Sequence, residues 1–236
     1  MRAVFPGLHF LNSKGMSVAA NLALIRDYLG EQPVKLIAVS KAASLSQVEE
    51  AIECGVTDFG ENRVQDALKK IQTLSPHMVQ NTNWHFIGHL QTNKVKQVVG
   101  NFALIHSVDS LRLAKEISAT ALKKNLVQPI LLQVMVLPDP EKSGFTVDEL
   151  KSSMDELLAL EGVKIEGLMT ITPLTDDRAV WTECFNRLRN LRNELSQAHG
   201  IELKELSMGM TNDWRDAVTC GATMVRIGRA IFQESN

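Results

Sequence analysis

The sequence has few cysteines and no surplus of basic residues, and both shortages exclude classes of protein. Its three cysteines, Cys54, Cys184 and Cys220, are widely spaced without a CxxC pair, which argues against a disulfide framework and a structural zinc site. The 25 Lys and Arg are outweighed by 27 Asp and Glu, so charge does not suggest a nucleic acid as a partner. No apolar run approaches the roughly 18 residues of a membrane span. These shortages favour a protein of the reducing cytoplasm with neither membrane nor nucleic-acid partners.

The amino-terminal segment lacks the continuous apolar stretch of a signal peptide. A short apolar patch is interrupted by Pro6 and by polar residues before such a stretch forms. We interpret residues 1–15 as a ragged leader, with either Met1 or Met16 as the start. The rest of the sequence shows no long linker or break in composition, so a single domain is predicted over 1–236.

Short apolar segments alternate with amphipathic ones along the chain. Strands are predicted at 34–40, 56–59, 84–88, 102–107, 130–136, 163–169, 203–206 and 223–227, and helices at 16–29, 44–55, 62–73, 91–99, 110–123, 146–159, 176–198 and 212–219. Eight strands in βα alternation, without tight hairpin signals, indicate a parallel sheet that closes as a (β/α)8 TIM barrel of the α/β class. A doubly wound open sheet is the alternative, but no GxGxxG turn follows the first strand.

A lysine ends the first predicted strand, in the segment KLIAVSKAAS at 35–44. A solvated strand end would explain Lys41 without any function. The carboxyl ends of barrel strands, however, are where TIM-barrel enzymes place their functional groups. A lysine amine kept near apolar walls loses its proton readily and can then attack a carbonyl group. Lys41 is therefore a candidate for forming a Schiff base.

Small and polar residues follow the last two predicted strands. Ser207, Gly209 and Thr211 stand in the segment LSMGMTND, and Gly228 follows the final strand. Backbone N–H groups at such turns commonly form a phosphate cup in TIM barrels. The alternative is that the glycines only permit turns and the hydroxyls only cap a helix. Arg226 lies inside an apolar strand, where an unpaired charge is costly, so we expect it to find an acceptor in the barrel.

A lysine facing a phosphate cup suggests pyridoxal 5′-phosphate (PLP), whose aldehyde would meet Lys41. Other phosphorylated carbonyl compounds fit the same arrangement, and a Schiff-base aldolase is one such case. The residue pattern alone leaves these alternatives open.

Eight motifs resemble, in order and spacing, those of the pyridoxal phosphate homeostasis proteins, which have the fold-type III barrel of the alanine racemase amino-terminal domain. They are AVSK, FGENRVQD, WHFIGHLQTNK, HSVDS, KSGF, GLMTI, LSMGMTND and VRIGRAIF, and the similarity extends over about 34–232. The resemblance implies that Lys41 holds PLP as a Schiff base and that Arg226 faces the pyridine nitrogen. It also implies that Ser207 and the backbone around four further residues hold the phosphate, namely Gly209, Thr211, Gly228 and Arg229. Asn62 and His85 would line the pyridine ring.

The sequence departs from the family pattern at Arg63, where Tyr is frequent, and at Met135, where Asn is usual. These departures affect contacts around the open face of the site and leave the lysine and phosphate motifs intact.

Two functions follow from the resemblance. The first is vitamin B6 homeostasis, in which a cytoplasmic monomer buffers PLP or delivers it to PLP-dependent apoenzymes without efficient catalysis. The second is an amino-acid racemase, which needs an acid or base opposite the lysine. The only tyrosine, Tyr28, falls in the first predicted helix, and His89 and Cys54 are weaker candidates for that base. An arginine at the pyridine nitrogen would also weaken the ring as an electron sink. The first function is therefore predicted.

Overall fold

The computed structural model describes residues 17–139 and 142–233, so the predicted leader lies outside the described residues. The strands are β1 Lys35–Val39, β2 Asp58–Glu61, β3 Asn83–Phe86, β4 Leu104–Val108, β5 Gln128–Met135, β6 Phe145–Thr146, β7 Val163–Met169, β8 Glu205–Ser207 and β9 Met224–Ile227. The helices are α1 Val18–Leu29, α2 Leu45–Glu53, α3 Val64–Thr73, α4 Pro76–Gln80, α5 Val95–Val98, α6 Leu111–Lys123, α7 Val147–Leu158, α8 Arg178–His199, α9 Trp214–Thr219 and α10 Arg229–Phe232.

The sheet closes into a barrel of parallel strands. Its order is β4-β3-β2-β1-β9-β8-β7-β5, and a further pairing of β4 with β5 joins the two ends. The two-residue strand β6 pairs only with the end of β5 and stands outside the ring. The predicted (β/α)8 barrel is thereby confirmed, and each of the eight predicted strands overlaps a strand of the ring.

Side-chain alternation separates two apolar layers. Ile37, Leu104, Leu131, Met169 and Met224 form a small cluster inside the barrel, distinct from the larger core. Their neighbours along the strands point outward and pack against the helices in that larger core. Because successive side chains of a strand point to opposite faces, this cluster identifies which residues of each strand face the barrel interior.

Local sequence signals explain where several helices begin and end. Capping boxes open α2 at Ser44 with Gln47 and α7 at Thr146 with Glu149. The longest helix, α8, ends at Gly200 in the left-handed conformation, which glycine adopts without strain. No helix in the described ranges combines the length and apolar character needed to cross a bilayer.

The final helix α10 agrees with a helix expected after Gly228, whereas two short elements and one helix start differ from the predictions. The five-residue helix α4 was not predicted, although Ser75 caps it and Pro76 occupies its first turn, a common way for a helix to begin. Strand β6 is too short for a hydrophobic pattern. Helix α9 begins at Trp214 rather than near 212, because Asp213 is its N-cap residue and the preceding residues form a turn.

Candidate functional site

The barrel mouth is the end at which the parallel strands finish, and Lys41 lies there. The backbone N–H of Ser40 still pairs with Gly60 O, so β1 remains extended up to the residue before Lys41. Lys41 therefore continues the face of Ile37, which points into the barrel. Its side chain is exposed, and among the described residues it has no hydrogen-bond or ion-pair partner.

A buried polar cluster holds the backbone beside Lys41. Ser40 Oγ donates to Glu61 Oε1 at 2.7 Å, and Lys70 Nζ donates to the same oxygen at 2.6 Å and to Ser40 O at 2.5 Å. The Glu61 side chain is fully buried, and its Oε2 atom has no hydrogen-bond partner among the described residues. Because these contacts lie on the outer face of β1 and β2, they hold the strand end that carries Lys41 without blocking the mouth.

Two glycines allow close approaches around the mouth. A Cβ atom on Gly228 would lie 3.0 Å from Val39 O, which places the end of β9 directly beside the end of β1. A Cβ on Gly88 would lie 2.3 Å from Asn62 O, so only glycine lets the segment after β3 pack on Asn62. Gly228 and Asn62 thus flank the strand end that carries Lys41.

The segment between β8 and α9 turns sharply at Gly209. Its φ is +89°, and an added Cβ would lie 2.5 Å from Ala217 Cβ. The next residues are held by Asp213, whose Oδ1 accepts from Met210 N at 2.6 Å. Thr211 lies half-buried in the turn that follows. The turn is therefore closely packed at Gly209 and held by a side-chain hydrogen bond.

Arg226 carries a buried charge with unused donors. It is 4% exposed, and it donates to Ser207 Oγ at 2.6 Å and to Thr170 O at 2.9 Å. A guanidinium has five N–H donors, so three have no acceptor among the described residues. Burial lowers the pKa of Arg226 to about 10, partly offset by the charge of Asp213. Its expected acceptors are therefore the Ser207 hydroxyl and a carbonyl group, and no carboxylate in the described ranges forms an ion pair with it.

Arg226 is one end of a hydrogen-bonded chain across the barrel interior. Ser207 Oγ lies 2.8 Å from His106 Nδ1, His106 Nε2 lies 2.9 Å from His85 Nδ1, and His85 Nε2 lies 3.0 Å from Asp58 Oδ1. Each of the five residues is buried. Burial, with the nearby charge of Arg226, holds the pKa of His106 well below its usual value.

The structure distributes the predicted site residues over three places. Lys41, Asn62, Gly209, Thr211 and Gly228 all follow the carboxyl ends of barrel strands, and Arg229 is exposed in the first turn of α10. His85 and Ser207 instead lie within strands, with buried side chains joined to the chain of Arg226. The two positions that depart from the family pattern also lie near the mouth, since Arg63 directly precedes α3 and Met135 ends β5.

Sequence reasoning missed several residues near the site. Asp58 and His106 complete the buried chain, and Lys70 completes the cluster behind Lys41. A second lysine also reaches the mouth, because Lys142 Nζ donates to the backbone carbonyl oxygen of Thr172. For Asp58 and His106, the sequence signal that could have found them is a polar residue at an inward-facing position of a strand. Among the described residues, no group of three His, Cys, Asp or Glu side chains could hold a metal ion.

Residues 16–236 match the family described as alanine racemase, N-terminal domain. The pyridoxal phosphate homeostasis protein of Synechocystis is 44% identical over 199 residues, 84% of this chain and 90% of the relative. That of Aquifex aeolicus is 42% identical over 205 residues, 87% of this chain and 89% of the relative. The chain belongs to the pyridoxal phosphate homeostasis protein family.

Solved structures of similar proteins agree with this membership in the pyridoxal phosphate homeostasis protein family. PipY of Synechococcus elongatus, solved with PLP bound, is 38% identical and superposes with a TM-score of 0.86 over 92% of this chain and 100% of PipY. An alanine racemase of Clostridium difficile is 17% identical with a TM-score of 0.75, and 56% of its length is covered. The second likeness shows a shared barrel fold and no more.

Proposed function

We propose that the barrel binds PLP through Lys41 and serves in vitamin B6 homeostasis. The observation that carries the proposal is the unbalanced charge at the mouth. Lys41 and the buried Arg226 have no carboxylate partner within the described ranges, and three N–H groups of Arg226 are unused. A buried guanidinium with unused donors needs an acceptor, and PLP would offer its pyridine nitrogen to Arg226 and its carbonyl group to Lys41.

The donors present at the mouth fit PLP. When bound, PLP supplies an aldehyde that condenses with a lysine amine, with loss of water. Gly209 and Gly228 place no side chain at the mouth, and turns of this kind bind phosphate through backbone N–H groups in other barrels. Arg226 would donate to the pyridine nitrogen and keep it unprotonated, because an arginine donates hydrogen bonds but does not give up its proton.

The homeostasis role rests on the relatives. Proteins of the family at 33–44% identity are named pyridoxal phosphate homeostasis proteins, and PipY was solved with PLP bound. We infer that this chain likewise buffers PLP or delivers it to PLP-dependent apoenzymes in the cytoplasm. A monomeric state, and contact with such apoenzymes, are predictions of the same proposal.

The racemase alternative needs a second acid or base at the mouth, and two of its three candidates lie elsewhere. The Tyr28 ring is on α1, outside the barrel, with its centroid 4.8 Å from that of Trp214. Cys54 is the C-cap residue of α2, beside a cavity at the opposite barrel end. His89 does lie at the mouth, with Nδ1 3.3 Å from Asp109 Oδ2. A racemase would therefore have to use His89.

Reductive trapping tests the binding proposal. The purified protein should be yellow with PLP, and borohydride should fix the cofactor on the peptide containing Lys41. Lys41→Ala should abolish the adduct, because a side chain at a strand end contributes little to the core. Lys204→Ala is the matched control: Lys204 is an exposed lysine paired with Glu202 at 3.2 Å, and its loss should change nothing. An adduct of wild-type amount in Lys41→Ala, mapped for instance to Lys142, would disprove the assignment.

Isotope exchange separates homeostasis from racemisation. The loaded protein is incubated with L-amino acids in deuterated water, and α-proton exchange and chirality are followed by NMR. We expect exchange no faster than with free PLP, because removing an acid or base typically forfeits about 10²–10⁴ in rate. Turnover near the roughly 10 s⁻¹ of ordinary enzymes, lost in His89→Asn, would favour the racemase.

A further inference from the structure

The hydrogen-bonded chain behind Arg226 has a direction, which the donors and acceptors determine. A guanidinium only donates, so Ser207 Oγ accepts from Arg226 and directs its own proton to His106 Nδ1. His106 then carries its proton on Nε2 and donates to His85 Nδ1. His85 in turn carries its proton on Nε2 and donates to Asp58 Oδ1. The Ser207 hydroxyl and all four histidine ring nitrogens are then satisfied, with both histidines neutral.

The opposite direction leaves a buried hydroxyl proton without an acceptor. If His85 were charged, His106 would accept at Nε2 and donate from Nδ1 to Ser207 Oγ. Ser207 would then accept from both His106 and Arg226, and its proton would have no acceptor among the described residues, although Ser207 is fully buried. An unpaired buried polar group is costly, so the direction from Arg226 to Asp58 is favoured.

Asp58 is anchored as the anionic end of the chain. Thr57 Oγ1 donates to Asp58 Oδ2 at 2.6 Å, and Asn83 Nδ2 donates to Oδ1 at 3.3 Å. Lys35 Nζ lies 3.9 Å from the same carboxylate. Burial works to raise the pKa of Asp58, but the hydrogen bonds from His85 and Thr57 outweigh it and lower that pKa. Asp58 therefore stays charged at neutral pH.

We propose that Asp58, His85 and His106 are positioning residues that act through Ser207 to hold the guanidinium of Arg226 in one orientation at the cofactor site. Since all the protons point toward Asp58, the bond dipoles align and strengthen one another. Ser207 and Thr170 O together fix two N–H groups, which determines the plane of the guanidinium and where its unused donors point. Arg226 lacks a direct carboxylate partner. Asp58, at the other end of the barrel, acts in its place through the hydrogen-bonded chain.

Nitrogen NMR of the histidine rings tests the direction without any cofactor. In the full-length protein free of PLP at pH 7.5, we expect both His85 and His106 to carry one proton, on Nε2. A proton on His106 Nδ1, or a doubly protonated His85, would overturn the proposed direction. This result does not depend on whether PLP binds, so it separates failure of the chain from failure of the proposed function. It also needs no variant that could fail to fold.

Variants then test the effect on Arg226, a step that rests on the proposed function. Asp58→Asn and His106→Leu should broaden the side-chain N–H signals of Arg226 through faster rotation. They should also weaken PLP binding about three- to tenfold and shift its absorption maximum. His106→Asn, whose amide oxygen can still accept from Ser207, should recover part of the signal. Lys164→Gln, a change in an exposed pair with Glu166, is the control. Unchanged Arg226 signals and PLP spectra in folded Asp58→Asn and His106→Leu would show that the hydrogen-bonded chain does not position Arg226.

Discussion

The amino-terminal end of the barrel holds a cavity of about 840 Å³, whereas the chemistry proposed for this protein lies at the mouth. Charged side chains line both places, but they are balanced differently. At the cavity, Arg26 Nη1 donates to Cys54 O at 2.6 Å, Lys35 lies 3.9 Å from Asp58, and Lys204 lies 3.2 Å from Glu202. Both lysines face a carboxylate, and Arg26 donates to a backbone carbonyl oxygen.

At the mouth, Lys41 has no partner and Arg226 has only neutral acceptors among the described residues. A folded chain that keeps unused N–H donors on a buried cation gives up stability, and part of that cost is recovered when a bound ligand accepts from them. The comparison therefore supports the mouth, rather than the cavity, as the proposed ligand site.

The largest effect should come from removing the phosphate of the cofactor. Pyridoxal should bind at least about 100-fold more weakly than PLP, because charge-assisted hydrogen bonds contribute roughly 1.5–3 kcal/mol each and a phosphate makes several. Titration followed by absorbance measures both dissociation constants. Lys204→Ala, at the cavity end, should leave the ratio unchanged. Equal affinities for the two compounds would contradict a phosphate site at the mouth.

Two glycines of positive φ offer a matched pair for stability. Gly209→Ala at the mouth should cost roughly 2–5 kcal/mol, because a left-handed backbone and a Cβ 2.5 Å from Ala217 Cβ combine strain with overpacking. Gly200→Ala has φ +63° but nothing within 4 Å of the added atom, so only about 1–2 kcal/mol is expected.

Denaturant unfolding with PLP absent measures both glycine variants. The PLP affinity of Gly200→Ala should stay that of the wild type, while Gly209→Ala should lose affinity as the turn shifts. A smaller loss of stability in Gly209→Ala than in Gly200→Ala would show that the turn at the mouth is loose.

The hydrogen-bonded chain from Arg226 to Asp58 should make the free energy of unfolding depend on pH. Since burial holds the pKa of His106 well below 6.5, the unfolded state binds the extra proton first as the pH falls. The free energy of unfolding should therefore decrease below pH 6.5, with a slope approaching about 1.4 kcal/mol per pH unit. His106→Asn should flatten this slope. The lowered pKa of Asp58 acts in a separate window, below its usual 3.8. Equal slopes in the wild type and His106→Asn would contradict a neutral buried His106.

The fold could be predicted because each barrel strand is a short apolar run followed by small or polar residues. The same rule located Lys41, Gly209 and Gly228, since each directly follows such a run. Strand β6, with two residues, and helix α4, with five, are too short to show a hydrophobic periodicity in the sequence. Local sequence was therefore sufficient wherever function lies at a strand end.

The interior chain could not be predicted because it depends on register between strands. His85 and His106 are 21 positions apart, and His106 and Ser207 are 101 apart, so no motif joins them. Their contact follows from pairings such as His85 with Gly60 and Leu104, which only the closed barrel specifies. What the sequence does offer is a polar residue inside an apolar strand, as at Arg226.

The smallest effect concerns the thiols, of which Cys184 lies by Thr170 after β7, while Cys54 and Cys220 end α2 and α9 toward the amino-terminal end of the barrel. Burial raises the pKa of Cys184 to about 11, and it also raises that of Cys220, while Cys54 is half-buried at the end of α2 beside the cavity. The thiolate is the reactive form of cysteine, and only about 0.1% of Cys184 would be thiolate at pH 8. Iodoacetamide should therefore modify Cys54 first, and peptide mass mapping over time measures this order. Modification at Cys54 should leave PLP affinity unchanged, since that thiol lies at the end with balanced charges. If PLP binding were lost in step with Cys54 modification, the cavity and the proposed cofactor site would be coupled, and the two ends would not be independent.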